Sequence, residues 1–96
     1  MGQNSAMPLT RHGRIRMQQR GVPPLIVRWL SDYGACCHDH RGAEVRYFNR
    51  RARKLLAREV GAAVLTQLSS YLNTYLVTDS AGTVITVGYR TRRLRH

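Results

Sequence analysis

His12, Arg16 and Arg20 stand at i, i+4 and i+8, so a helix through them presents all three on one face. An imidazole exchanges a proton near neutral pH. A guanidinium neutralises a phosphoryl group that gains charge in a transition state. Cleavage of RNA by its own 2′-hydroxyl needs those parts: a base, an acid and a cationic clamp. Each positioned acid or base contributes roughly 10²–10⁴-fold in rate. The same spacing also describes a solvated helix face with His12 near its start. The residues alone leave both readings open.

Cys36, Cys37, His38, Asp39 and His40 are all metal-ligand types. They are contiguous on a strand and turn, with no second ligand pair elsewhere, whereas metal sites draw ligands to one point from separated pairs. No metal and no cofactor is therefore expected. The adjacent cysteines cannot build a disulfide framework, which fits a reducing cytoplasm. A third group closes the chain: Thr86, Tyr89 and Arg90, with Arg46 and Tyr47 on an earlier strand. Aromatics beside arginine on an open sheet suit single-stranded RNA. They equally suit core-edge tyrosines with wet hydroxyls. There is no Gly-rich phosphate loop, no carboxylate pair and no Ser-His-Asp pattern, which argues against nucleotide hydrolysis and two-metal nuclease chemistry.

The 96 residues carry a net charge of +11, with 16 cations against five acids. Lys54 is the sole lysine. Arginine offers a planar fork that grips phosphate bidentately, although a GC-rich genome also favours arginine codons. Such an excess repels itself unless a polyanion or acidic partner uses it. The cations gather in three segments: residues 11–28, Arg50, Arg51, Arg53 and Lys54, and Arg90, Arg92, Arg93 and Arg95. The expected partner is RNA or another polyanion, with an acidic protein as the alternative. No run of about 18 apolar residues exists, so no membrane partner is expected. Residues 1–8 lack the pattern of a secretory signal, and the reading is cytoplasmic.

The elements that must position these groups follow from caps and periodicity. Thr10 caps a helix from Arg11 to Arg20, with Gly21 after it. Its apolar seam is only Ile15 and Met17. Pro23-Pro24 opens a second helix with Ile26, Trp29, Leu30 and Tyr33 as its buried stripe. Ala35–His38 and Ala43–Phe48 read as strands around a turn ending at Gly42. Asn49 caps a third helix to Val60, with Leu55, Leu56 and Val60 inward and the basic residues mostly outward. Ala62–Ser69 continues as helix after a break at Gly61. Leu72–Thr78 and Thr83–Tyr89 form a hairpin around Asp79–Gly82, with Val84, Thr86 and Gly88 on one face and Ile85, Val87 and Tyr89 on the other. The expectation is one α+β domain over residues 10–90, order ααββα(α)ββ, between a loose tail (1–9) and a basic tail (91–96). Its four-stranded antiparallel sheet carries helices on one face.

Arg11-His12, Arg16-Met17 and Arg20-Gly21-Val22 resemble the opening of a family of small bacterial proteins with the pattern Arg-His-x-x-x-Arg-Met-x-x-Arg-Gly-(Ile/Val). The closing Thr83–Arg90 resembles that family's final strand. The family is grouped with RelE-like and BrnT-like toxins, small α+β proteins that cut RNA without metal. The resemblance implies that His12, Arg16, Arg20 and Thr86 lie near the functional surface. A shared fold hosts many functions. Three readings follow: a metal-independent, toxin-like endoribonuclease, a non-enzymatic nucleic-acid-binding module, and a regulatory protein that docks an acidic partner.

Overall fold

The computed structural model describes residues 8–38 and 42–90. The chain enters beside the sheet, where Val84 N–H donates to the Pro8 carbonyl and Thr10 N–H to the Val84 carbonyl. Thr10 then caps α1 (Arg11–Gln19), its hydroxyl accepting from Gly13 N–H at 3.0 Å. The helix packs against β4, the edge strand of the sheet. Gly13 is its buried residue, because a Cβ there would sit 2.5 Å from the Val84 carbonyl oxygen. The expected Ile15–Met17 seam is half right. Met17 packs against the core, while Ile15 is 41% exposed.

Helix α2 (Pro24–Tyr33) begins with proline at its first turn and buries Ile26, Val27, Trp29 and Leu30. Asn49 Oδ1 accepts from Ala52 N–H at 2.8 Å and starts α3 (Arg50–Val60). Here Ala52 and Leu56 face inward and Leu55 is exposed, which corrects the expected inward Leu55. Gly61, at φ 92°, breaks α3 from the short α4 (Ala62–Gln67). A 3₁₀ segment, Ser69–Asn73, follows and takes Leu72 out of the expected strand.

The sheet is antiparallel in the order β1 (Ala35–His38), β2 (Glu44–Tyr47), β3 (Thr74–Thr78), β4 (Val84–Tyr89). Thr74, Leu76 and Thr78 are buried beneath the helices, where Leu76 joins Phe48, Ile26, Leu30, Leu56 and Val87 in one core. Tyr75 and Val77 alternate onto the other face and are half-buried.

One register detail alters the faces of β4. Val77 pairs with Thr86 but Thr78 pairs with Val84, so Ile85 is an extra residue. The bulge places Val84, Val87 and Tyr89 on the helix side and Thr86 and Gly88 on the open side. Strict alternation over Val84–Tyr89 is therefore corrected. Among the described residues no helix is long and apolar enough to cross a membrane.

Candidate nucleic-acid interface

The α1 cluster forms as the spacing requires. Arg16 Nε donates to His12 Nε2 across 3.4 Å on an exposed helix face. That bond uses the Nε2 lone pair, so it needs a neutral imidazole carrying its proton on Nδ1. Arg20 follows at the helix's C-cap and is exposed. No acid stands in the first turn of α1 to hold this face by ion pairing. Thr86 is half-buried on the open side of β4, the strand against which α1 packs. The bulge at Ile85 is what turns Thr86 to that side.

A second group gathers at the opposite end of the sheet, where β2 and β4 end and α3 begins. Arg90 follows β4, and its guanidinium carbon lies 5.3 Å from the centroid of the Tyr47 ring, within cation–π range. The Arg90 backbone is held by a 2.8 Å bond from its N–H to the Asn73 carbonyl. Tyr47 and Arg46 do not share a surface, since neighbouring strand residues point apart. Tyr47 lies on the open side, with its hydroxyl 3.7 Å from Cys37 Sγ. Arg46 turns to the helix side, where Nη1 donates to the Ser31 carbonyl at 3.2 Å. Burial pushes the Tyr47 and Tyr89 phenols up from their ordinary range. Tyr89 lies beneath the helices against the core, away from the stacking position expected for it.

Arg53 also departs from its expected outward role. Its Nε donates to the Phe48 carbonyl at 3.3 Å, and Nη2 to the Leu72 carbonyl at 3.0 Å and to Asn73 Oδ1 at 3.3 Å. It thereby ties α3 to the end of β2 and to the entry of β3. Burial, and then repulsion from Arg90, lowers its pKa. Arg50 and Arg51 are exposed in the first turn of α3, the positive end of the helix dipole, so their charges are not offset there. Arg51 also lines a cleft of about 320 Å³ with Tyr33, Gly34, Ala35, Asn49, Ala52 and Leu55. Arg92 and Arg93 lie outside the described residues.

The sequence-predicted residues thus divide into two patches. The start of α1 is anchored at the Val84 end of β4, and Arg90 leaves the other end of that strand, about 20 Å from Val84 at some 3.3 Å per residue. One feature escaped the sequence reading. Cys36, His38 and Glu44 bring Sγ, a ring nitrogen and a carboxylate oxygen within 4.8 Å of one another. The expectation that the Cys-His run lacked a partner ligand overlooked Glu44, which the β1–β2 register sets directly opposite His38. No protein-family model, curated protein or solved structure matches the chain.

Proposed function

We propose that the protein acts on RNA through its basic surface and cleaves it without a metal, by acid–base chemistry centred on His12 and Arg16. The observation that carries this reading is the exposed His12–Arg16 pair, with Nε to Nε2 at 3.4 Å, in a chain of net charge +11. When Arg16 turns from Nε2 onto the phosphoryl oxygens, it frees the Nε2 lone pair of the neutral imidazole, and His12 accepts the 2′-hydroxyl proton there. The freed oxygen attacks phosphorus, and Arg16 stabilises the charge that builds on the phosphoryl oxygens. The imidazolium then returns its proton to the departing 5′-oxygen. Arg20, one turn further along α1, extends the phosphate contact, and the Thr86 hydroxyl is a neutral donor on the adjoining strand.

The second patch serves binding. Arg50, Arg51 and Arg90 offer phosphate contacts that carry no sequence preference. The Tyr47 ring is already covered by Arg90. A base therefore meets the guanidinium plane of Arg90 rather than the ring.

The test uses purified protein, labelled single-stranded RNA and EDTA. Cleavage is expected, and His12→Ala lowers its rate by about 10²–10⁴-fold with RNA binding kept. Full activity in both His12→Ala and Arg16→Ala overturns the site. Binding without cleavage leaves a non-enzymatic nucleic-acid-binding module. Absence of binding at low salt overturns the RNA reading and leaves an acidic protein as the partner of the basic face.

A further inference from the structure

The vicinal cysteines are split by the sheet. Cys37 points to the open side toward the Tyr47 hydroxyl, and Cys36 points to the helix side with His38, two residues on. Across the hairpin, Glu44 pairs with His38 and Arg46 with Cys36. Three ligand atoms of different chemistry, Sγ, imidazole N and carboxylate O, therefore converge at the free edge of the sheet, all within 4.8 Å. Cys36 and His38 are exposed, so an ion and its waters can reach them.

The imidazole–carboxylate distance already fits a tetrahedral ion, and Cys36 Sγ lies within 4.8 Å of both. With zinc–nitrogen and zinc–oxygen bonds of about 2.0–2.2 Å and zinc–sulfur of about 2.3 Å, ligand atoms lie roughly 3.3–3.7 Å apart. His38 Nδ1 and Glu44 Oε2 are 3.5 Å apart before any adjustment. Glu44 is held from its other oxygen, Oε1, by Arg46 Nη2 at 3.9 Å. Arg46 is itself fixed to the Ser31 carbonyl. That is the arrangement of an outer-shell partner, which orients a ligating carboxylate while leaving one oxygen for the metal. The ligand set of thiolate, imidazole and carboxylate suits zinc and its neighbours, and not magnesium or calcium. Two anionic ligands cancel the charge of a divalent ion, so binding leaves the site neutral in a chain already strongly positive.

We propose that Cys36, His38 and Glu44 form a site for a zinc-type divalent ion, three ligands among the described residues, its fourth position taken by no other described side chain. Binding replaces the Cys36 S–H bond with a metal–thiolate bond and releases that proton to solvent. A thiol of ordinary pKa, about 8.5, carries this proton at neutral pH. The site sits at the β1 edge. α1 flanks β4, three strand spacings or about 14 Å across the sheet. The metal is therefore independent of the His12 chemistry and of its test in EDTA.

Titration of the reduced, untagged full chain with Co²⁺ reads the site directly. One equivalent is expected to give a thiolate-to-cobalt charge-transfer band in the near ultraviolet and tetrahedral ligand-field bands in the visible, both erased by Zn²⁺. Cys36→Ser abolishes the charge-transfer band, and Cys37→Ser keeps it. His38→Ala and Glu44→Gln weaken affinity by more than the roughly 10–100-fold typical of losing an outer-shell partner. On the unmutated chain, calorimetry in buffers of different ionisation enthalpy reads about one proton released per ion at neutral pH. No charge-transfer band, its survival in Cys36→Ser, or unchanged affinity in both His38→Ala and Glu44→Gln overturns the site.

Discussion

At the scale of single residues, two positions are set by what they touch and not by their own preference. Alanine is the better helix former than glycine, by about 1 kcal/mol in a helix interior. At Gly13 that gain is outweighed, because the added Cβ would meet the Val84 carbonyl oxygen at 2.5 Å, and that atom is backbone with no side chain to yield. Overpacking of this kind costs about 1–3 kcal/mol. Gly13→Ala is expected to lower stability by about 1–2 kcal/mol in urea melts, as α1 is pushed off β4. A more stable variant would mean that α1 is not held at this distance. Thr78 is the opposite case. Its side chain is fully buried, and its hydroxyl finds no hydrogen-bond partner among the described residues. Thr78→Val removes an unpaired polar atom at nearly constant shape and should raise stability by about 1 kcal/mol. A loss of stability in the same melt would point to a partner for that hydroxyl.

At the scale of elements, Arg53 decides how α3 is held. Its guanidinium binds two carbonyls, of Phe48 and Leu72, that belong to segments on either side of the helix. Arg53→Ala leaves both without this donor and should cost about 1–3 kcal/mol, the range for leaving a buried polar group unsatisfied. Arg50→Ala and Arg51→Ala, at exposed positions, should fall within about 0.5 kcal/mol of the parent. Thermal unfolding of the three variants separates them, and equal melting points would remove Arg53 from this role. The element order was legible because caps and breakers stand where the chain turns: Thr10, Pro24, Asn49, Gly61 and Gly82. Faces within elements were less so. The extra residue at Ile85 leaves no mark in an apolar run of valine, isoleucine and threonine, yet it moves Tyr89 inward and Thr86 outward. The Cys36–His38–Glu44 group was hidden for a related reason. Its three groups come together only after the hairpin has set its register. Conversely, i, i+4 spacing on a helix is a local property, and His12 and Arg16 meet as the sequence implied.

At the scale of the whole molecule, charge and pH act through different groups. The raised Tyr47 and Tyr89 phenols favour the protonated form in the folded chain. The folded state thus holds more protons than the unfolded one above the ordinary tyrosine range. Their contribution is present below about pH 10 and is lost as pH rises through the folded values. Unfolding in denaturant should therefore become easier from pH 9 to about 11, with phenolate absorbance appearing together with unfolding. Phenolate formed well before unfolding would place both rings in water. On the proposed reading, the net charge of +11 instead governs association with RNA. Each single-strand phosphate neutralised contributes a slope of about −0.7 to log K against log salt. Arg50 and Arg51 are exposed on the α3 turn, while the Arg53 donors are occupied within the fold. The double variant Arg50→Ala/Arg51→Ala should therefore make the slope shallower by about 1.4, and Arg53→Ala should leave it close to the parent under conditions where the chain stays folded. Filter binding to single-stranded RNA across a salt series measures both. If Arg53→Ala flattens the slope as much as the double variant does, Arg53 leaves its carbonyls to bind phosphate. If neither variant changes it, the α3 end of the sheet takes no part in holding RNA.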